Sequence, residues 1–216
     1  MNVRILAIGD VVGKPGRTII SQKLAEYCRR EIVDCVIANG ENLAGGSGLL
    51  PSEADELFKA GVHVITGGDH VWGKKEIIPY IDRTPHLIRP ANYPDGQPGK
   101  GYTVVETMKG VKVAVIHLQG RVFMNTHCDC PFVTAKKIIA ELRSKTNVIA
   151  VDMHCEATSE KIAVHVDGTA KRRVKRSPWA GGWTDRRVSS SGPTRTSRRR
   201  TSACSRRGPP TSPTAG

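Results

Sequence analysis

Short apolar runs alternate with amphipathic stretches along the first 162 residues of the chain. Seven runs rich in β-branched residues predict strands, at Val3–Ile8, Cys35–Ala38, Val62–Ile65, Leu87–Arg89, Tyr102–Val105, Val111–His117 and Val148–Val151. Four stretches with helical spacing predict helices, at Arg17–Glu31, Ser52–Ala60, Lys74–Ile81 and Thr134–Ser144. This alternation is typical of an α/β domain in which helices cover a largely parallel sheet. Because Lys109-Gly110 between two of the strands predicts a hairpin, we expect a mixed sheet.

The pattern changes after residue 165. The 46 residues from Lys171 to Gly216 contain only eight hydrophobic residues, and Arg, Ser, Thr, Pro and Gly dominate. They carry 13 basic residues and one acid, a net charge of +12, whereas the preceding 170 residues carry 20 basic and 19 acidic groups. Such a segment buries too little apolar surface to offset the entropy lost on ordering. The sequence therefore predicts a folded domain over 1–165 and a disordered basic tail over 166–216.

The apolar runs are also too short for membrane insertion or export. None approaches the roughly 18 residues of a membrane span, and the Ile5–Ile8 stretch is interrupted by Asp10 too soon for a signal peptide. We therefore expect a cytoplasmic protein without a membrane partner. The six cysteines lack a regular spacing, which favours reduced thiols. Cys128-Asp129-Cys130 resembles half a metal site, but without a second pair it indicates structural thiols.

Polar side chains follow four of the predicted strands. They are Asp10 after the first, Glu41 and Asn42 after the second, Asp69 and His70 after the third, and His154 after the last. The carboxyl ends of strands in an α/β sheet share one edge, where ligands bind. Carboxylate, amide and imidazole donors favour Mn, Fe, Zn or similar divalent ions. The pattern predicts a metal site at this edge, with Asp152 and Glu156 orienting His154 through its second ring nitrogen.

Each of these groups has an ordinary structural interpretation when it is considered alone. Asp10 precedes a Gly-Lys-Pro-Gly turn and has the position of a helix cap. Glu41 and Asn42 lie in a glycine-rich segment typical of a turn. A single histidine such as His70 or His154 is more often a half-buried structural residue than a ligand. Four such groups at four strand ends favour the metal site.

Six short motifs resemble, in their order along the chain, those of the YmdB-type calcineurin-like metallophosphoesterases. They are Gly9-Asp10-Val11-Val12-Gly13, Asn39-Gly40-Glu41-Asn42, Gly68-Asp69-His70-Val71-Trp72, Arg89-Pro90-Ala91-Asn92-Tyr93-Pro94, Leu118-Gln119-Gly120-Arg121 and His154-Cys155-Glu156-Ala157-Thr158-Ser159-Glu160-Lys161. The resemblance implies a four-layer αββα sandwich, a homo-oligomer and two divalent metal ions, with Fe or Mn first and Zn or Mg as alternatives. The implied activity is hydrolysis of small phosphodiesters, with cyclic nucleotides such as 2′,3′-cyclic AMP as candidate substrates.

The resemblance also implies a role for each residue of the predicted site. The implied metal ligands are Asp10 and Asn42 on the first ion, Glu41 as the bridge, and Asp69 and His154 on the second. His70 would be the proton donor to the leaving oxygen. This division of labour agrees with the chemistry, because paired metal ions about 3.5–4 Å apart clamp attacking and leaving oxygens and an imidazole can protonate the departing alkoxide.

Two departures from the family's pattern affect the site. The family usually has Asn at the position of Asp69, and the carboxylate adds negative charge that favours harder or more highly charged ions. The family also completes its site with a Gly-Thr-His-Thr-His segment downstream of Glu160-Lys161, one histidine for each metal. No histidine follows His165 in this chain. The resemblance therefore implies two missing ligands and an impaired enzyme.

The tail is compatible with a change of reading frame. If Gly192-Pro193-Thr194-Arg195-Thr196 is encoded GGA CCC ACA CGC ACG after a codon ending in G, grouping one base earlier reads Gly-Thr-His-Thr-His. The same regrouping of Trp179 to Thr184 permits a sequence close to the family's segment before those histidines. We therefore hypothesise that translation is out of frame from a point between residues 163 and 178.

Two further interpretations stay open from the sequence. The body could keep the fold without catalysis while the arginine-rich tail binds nucleic acid through charge. Against this, the tail has no regular repeat, and its two tryptophans are not interleaved with the arginine clusters. The chain could also fold poorly, because the family's sandwich continues beyond the lost segment and an exposed sheet edge promotes aggregation.

Overall fold

The computed structural model describes the backbone of residues 2–166, 174–176 and 184–188 and the side chains of residues 2–164. The described strands are β1 (Val3–Ile8), β2 (Cys35–Asn39), β3 (Val64–Thr66), β4 (Leu87–Ile88), β5 (Tyr102–Glu106), β6 (Lys112–Gln119), β7 (Val148–His154), β8 (Val174–Arg176) and β9 (Thr184–Val188). The described helices are α1 (Gly13–Glu31), α2 (Pro51–Lys59), α3 (Ile78–Arg83), α4 (Pro131–Leu142) and α5 (Thr158–Val166), with a 3₁₀ turn at Lys75–Ile77 before α3.

The strands form two sheets. The first has the order β4-β3-β2-β1-β9-β8, and its β1 to β4 are parallel, whereas β9 is antiparallel to β1. The second has the order β5-β6-β7, with β5 and β6 antiparallel and β6 and β7 parallel. The predicted hairpin joins β5 to β6, and Gly110 at its turn has a φ of +71°, which favours glycine. The prediction of a mixed sheet is confirmed for the second sheet.

Three apolar cores separate four layers, and the alternation of side chains along β6 shows why. Val113 and Val115 face the first sheet and pack with Val3 and Ile5 in the core between the sheets. The intervening residues face α4 instead: Ala114, Ile116 and Leu118 pack with Ala135, Ile139 and Leu142. The opposite face of the first sheet packs on α1, α2 and α3 through a third core that contains Val36, Ala38, Ile65, Leu24, Leu57 and Ile81. The predicted αββα sandwich is confirmed.

Several element boundaries differ from the sequence-based prediction for identifiable reasons. The predicted helix Lys74–Ile81 divides into the 3₁₀ turn and α3, because Pro79 lacks an amide proton and starts a new helix. Strand β7 continues to His154, where it pairs with Gln119 of β6. Helix α5 was not predicted, since its nine residues directly precede the change in composition. Among the described residues, no helix is long and apolar enough to cross a membrane.

The predicted tail lies largely outside the described residues. Within 166–216, the structure describes the end of α5 and the strands β8 and β9, although we had expected a disordered segment there. β9 pairs with β1 from Val3↔Val188 to Ile5↔Arg186 and thereby covers the edge of β1 that β2 leaves open. Pairing at an open strand edge satisfies backbone groups whatever the side chains are, so composition does not predict it.

Candidate metal centre

The carboxyl ends of β1, β2, β3 and β7 meet at one edge of the sandwich, where the predicted site residues lie. Asp10, Glu41, Asn42, Asp69 and His70 lie in the loops after the three parallel strands, and His154 is the last residue of β7. Parallel pairing sets the loops of the first sheet side by side. Stacking of the second sheet brings His154 across to them, and its Nε2 lies 2.9 Å from Oδ1 of Asp69. The structure thus brings all six residues together.

Two groups of ligand atoms overlap at Glu41. Ligand atoms of Asp10, Glu41 and His154 lie within 4.8 Å of one another, and so do those of Glu41, Asp69 and His70. Nε2 of His154 lies 3.3 Å from Oε2 of Glu41. A carboxylate that belongs to both groups has the position required of a ligand shared by two ions.

The charges around Glu41 fit a cation site. Glu41 is only 3% exposed. Burial and the neighbouring carboxylates of Asp69 and Asp10 raise the pKa of Glu41 to about 7, although His154 lowers it. Carboxylates this close disfavour one another's ionised form, and positive charge between them reverses that effect. Oxygen and imidazole donors suit Mn, Fe, Zn or Mg, so the residues present fit divalent ions.

Asp69 and His154 stabilise each other's charged form. Burial lowers the pKa of His154, but the charge of Glu41 and the hydrogen bond and charge of Asp69 outweigh burial and raise it. Burial raises the pKa of Asp69, but the hydrogen bond and charge of His154 outweigh it in turn. This pair joins the loops of the first sheet to the end of β7.

Asn42 connects Glu41 to His70. Its Nδ2 donates to Oε1 of Glu41 at 3.1 Å, which leaves its Oδ1 to accept from Nδ1 of His70, also at 3.1 Å. The neutral imidazole of His70 therefore carries its proton on Nδ1. Because His70 is exposed, its Nε2 is the nitrogen that can exchange a second proton with a ligand or solvent.

Gly68 allows the turn that carries Asp69 and His70 to close on Glu41. Its φ is +55°, and a Cβ atom at this position would lie 1.6 Å from Oε2 of Glu41. The backbone N of His70 faces the same oxygen at 3.5 Å. A side chain at position 68 would therefore displace either the turn or the Glu41 carboxylate.

His117 is a site residue that sequence reasoning missed. It lies inside β6, is fully buried, and its Nε2 accepts a hydrogen bond from the backbone N of Gly68 at 3.0 Å. Its Nδ1 lies 3.0 Å from Oδ2 of Asp152. We expected Asp152 to orient His154, but Asp152 is the register partner of His117 across β6 and β7 and contacts that ring instead. The available signal was a lone histidine within the apolar run of β6.

Comparisons with known proteins place this geometry in context. A family model described as YmdB-like protein matches residues 6–174. The chain is 46% identical over 174 residues to the 2′,3′-cyclic-nucleotide 2′-phosphodiesterase of Bacillus subtilis strain 168, covering 80% of this chain and 65% of that protein. The chain therefore spans less than two thirds of that relative's length.

Two solved structures are similar in fold and sequence. A crystal structure described as a novel phosphatase from Mycoplasma pneumoniae superimposes with a TM-score of 0.71 at 31% identity, covering 82% of this chain and 69% of that one. A hypothetical protein from Thermus thermophilus gives a TM-score of 0.68 at 38% identity, covering 75% and 62% of the two chains. The sandwich described above is thus shared with a protein described as a phosphatase.

Proposed function

The chain belongs to the YmdB-like protein family, and on this premise we propose that it forms the body of a metal-dependent phosphodiesterase. The observation that carries the proposal is the overlap of two ligand groups at Glu41. We propose two divalent ions there, Fe or Mn in the first place and Zn or Mg as alternatives. From the family resemblance, Asp10, Glu41 and Asn42 would hold the first ion, and Asp69 and His154 would complete the second with Glu41. In the structure His154 groups with Asp10 and Glu41 instead, and His70 groups with Glu41 and Asp69, so the overlap supports the shared place of Glu41 and not this division.

The residues of the chain divide the work of catalysis. When bound, the ions supply Lewis-acid polarisation of the phosphoryl group and a nucleophile at neutral pH. Glu41 would be shared by both ions, and Gly68 keeps that carboxylate against the turn of Asp69. His70 delivers a proton from Nε2 to the leaving oxygen, since its Nδ1 is engaged by Asn42.

The substrate class follows from the similar Bacillus protein. That protein is named a 2′,3′-cyclic-nucleotide 2′-phosphodiesterase, and this chain carries oxygen and nitrogen donors suited to metal ions at its sheet edge. We propose small phosphodiesters as substrates, with 2′,3′-cyclic nucleotides as the first candidates. A diester needs one group to protonate its leaving alkoxide, the role assigned to His70.

This chain is proposed to be an impaired version of the enzyme. The family match ends at residue 174 and no histidine follows His165, which supports the proposal that the two downstream histidines implied by the resemblance are missing. Losing even a residue that only hydrogen-bonds to a metal ligand commonly costs about 10- to 100-fold in metal affinity or in activity. Loss of two direct ligands should leave the 216-residue chain nearly inactive at ordinary metal concentrations.

Three versions of the protein test the proposal side by side: the chain as it stands, a frame-corrected chain carrying Gly-Thr-His-Thr-His, and a chain ending at residue 170. Hydrolysis of bis(4-nitrophenyl) phosphate and of 2′,3′-cyclic AMP is measured with added Mn or Fe. We expect activity only in the frame-corrected chain. Equal activity of the unaltered chain would mean that other residues complete the site, for example His165 or Asp167, and the frame hypothesis would be wrong.

The basic tail favours one alternative, a non-catalytic protein that binds nucleic acid. Its net charge of +12 over 171–216 is sufficient reason to test it. Salt-dependent retention on nucleic acid that disappears when 171–216 is deleted would support this alternative. Metal-dependent turnover by the frame-corrected chain, with no such retention, would exclude it.

A further inference from the structure

A buried asparagine fastens both ends of the segment that joins β6 to α4. Asn92 is 1% exposed; its Oδ1 accepts from the backbone N of Gln119 at 2.9 Å, and its Nδ2 donates to the carbonyls of Gln119 and Asp129 at 2.8 and 2.9 Å. The backbone N of Asp129 returns a bond to the Asn92 carbonyl at 2.8 Å. One amide thus closes residues 120–130, here called the 120–130 loop, into a compact unit whose ends are adjacent.

The same loop leaves the second sheet directly beside the metal centre. The backbone N of Gly120 donates to the carbonyl of His154 at 2.8 Å. A Cβ atom on Gly120 would lie 2.4 Å from Cβ of Cys155 and 2.3 Å from Oε2 of Glu160. Glu160 is 7% exposed and accepts from the backbone N of Arg121 at 2.9 Å and of Val122 at 3.4 Å. Glycine at position 120 therefore brings the loop, β7 and α5 into contact.

A cavity of about 500 Å³ lies between this loop and the first turn of α4. Its lining includes Arg121, Met124 and His127 from the loop, Phe132 from α4 and Glu160 from α5. The volume falls within the range of about 300–1,000 Å³ that small-molecule sites occupy. A guanidinium and an imidazole beside apolar and aromatic surface can bind a ligand that is anionic at one end and a flat heterocycle at the other.

Tyr93 binds the residue of β6 that pairs with His154 at the metal centre. It is 3% exposed, and its hydroxyl donates to Oε1 of Gln119 at 2.6 Å. Burial raises the pKa of Tyr93 to about 12, and the charges of Asp69 and Cys128 add to that effect. Asp69 belongs to the metal centre and Cys128 to the cavity wall. Gln119 is also the register partner of His154, and Sγ of Cys128 faces the Gln119 carbonyl at 3.9 Å, so this residue joins the cavity wall to the end of β7 at the metal centre.

The charge of Arg121 is available to such a ligand. Its guanidinium forms no ion pair with any residue that the structure describes, and its side chain is exposed. Glu160 is the acid in the same cavity, but its two oxygens already accept backbone N–H groups of the loop. Because Gly120 is hydrogen-bonded to His154, the backbone of Arg121 starts at the end of the cavity next to the metal centre.

We propose that this cavity is the subsite for the nucleoside part of a nucleotide substrate, with Arg121 binding the phosphate and Phe132 packing against the base. The proposal rests on the phosphodiesterase function proposed above and names the residues that select nucleotides over other diesters. It also gives a role to two motifs that the metal centre leaves unused, since Asn92 and Gly120 build the loop that forms the cavity wall.

Direct binding tests the subsite without turnover. Adenosine 3′-monophosphate, adenosine and inorganic phosphate are titrated calorimetrically into the full chain in the presence of a chelator. Arg121→Gln should weaken the binding of the nucleotide and of phosphate about tenfold or more, which is the usual value of a hydrogen bond to a charged group. The affinity for adenosine should not change. Phe132→Ala should weaken the binding of the nucleotide and of adenosine about 5- to 100-fold, because stacking on the ring is lost. The affinity for phosphate should not change.

Matched variants separate these effects from damage to the fold. Arg143→Gln removes a guanidinium beyond the other end of α4, outside the cavity, and should bind all three ligands like the unaltered chain. Phe132→Leu keeps apolar volume without an aromatic face. Its affinities for the nucleotide and adenosine should lie between those of the unaltered chain and of Phe132→Ala. Unaltered affinities in both Arg121→Gln and Phe132→Ala, or the absence of saturable nucleotide binding, would overturn the proposal. Adenosine binding that does not depend on Phe132 would overturn the nucleoside assignment.

Failure of the subsite and failure of the proposed function give different results. If the frame-corrected chain hydrolyses bis(4-nitrophenyl) phosphate but its KM for 2′,3′-cyclic AMP is unchanged in both variants, the enzyme is established and the subsite is wrong. If it hydrolyses no diester while nucleotide binding depends on Arg121 and Phe132, the cavity binds nucleotides and the proposed function is wrong.

Discussion

The two sheets contribute to the candidate metal centre in different ways. The first sheet places five of the six predicted residues in the loops after three parallel strands. The second sheet supplies His154 alone. It also supplies the groups that hold the loops in place, since His117 binds Gly68 from within β6 and the 120–130 loop borders the site.

This difference separates ligands from supports. The proposed ligands lie at or just after strand ends, where a polar side chain after an apolar run is visible in the sequence. Supports lie inside strands or in turns, where their effect depends on a neighbour from the other sheet. Loss of a ligand should therefore remove ions, whereas loss of a support should leave the ions bound more weakly.

The largest effect is expected for Glu41→Ala in the frame-corrected chain. The variant removes the carboxylate that both ligand groups share. Without that shared negative charge, two neighbouring cations would repel each other. We expect both equivalents of metal to be lost in metal analysis of the purified protein. Glu76→Ala, which removes an exposed carboxylate outside both ligand groups, is the control and should keep them. Retention of two equivalents in Glu41→Ala would contradict the shared role.

His70→Ala should leave the metal content intact and slow hydrolysis by a factor of about 10² to 10⁴, the usual contribution of a general acid. The loss should be smaller for a nitrophenyl diester, whose leaving group needs little protonation, than for a cyclic nucleotide. Steady-state rates on both substrates, together with metal analysis, provide the check. An equal loss on both, or a loss of metal, would show that His70 is a ligand, as its grouping with Glu41 and Asp69 also permits.

Gly68→Ala tests a support on the first sheet. The new methyl group would collide with Oε2 of Glu41, and a displacement of about 1 Å at a catalytic group can cost roughly 10² in rate. Gly96→Ala is the matched control, because Gly96 also has a positive φ, +84°, but no atom lies within 4 Å of the added Cβ. Both variants should lose thermal stability from backbone strain, Gly68→Ala the more because of the clash, and in the frame-corrected chain only Gly68→Ala should lose activity. Equal activity would show that Glu41 adapts to the clash.

His117→Leu tests a support on the second sheet and should have the smallest effect on the ions. The variant leaves the Gly68 amide and the Asp152 carboxylate without the imidazole that contacts them. Loss of a residue that positions a metal ligand commonly costs about 10- to 100-fold in metal affinity. Manganese titration gives the affinity, and thermal unfolding gives the stability. His117→Gln retains a side-chain acceptor and should recover part of the affinity. Equal Mn affinity of the frame-corrected chain with His117 and with His117→Leu would mean that the turn of Gly68 needs no support from His117.

The sequence was sufficient to predict which residues gather at the sheet edge. It was not sufficient to predict which residues hold those loops in place. Asp10, Glu41, Asp69 and His154 were predictable because each follows an apolar strand, and parallel strands end at one edge. The partnership of Asp152 with His117 was not predictable, because it depends on the register between β6 and β7. The cavity beside the 120–130 loop was hidden for a similar reason, since Asn92 closes that loop from a position 27 residues away from Gln119.

Anomalous diffraction at the manganese edge tests the central claim most directly. Crystals of the frame-corrected chain grown with Mn should show two peaks about 3.5–4 Å apart, with the Glu41 carboxylate between them and Asp69 and His154 beside one of them. A single peak, or two peaks of which only one contacts Glu41, would contradict a two-ion centre built on that residue.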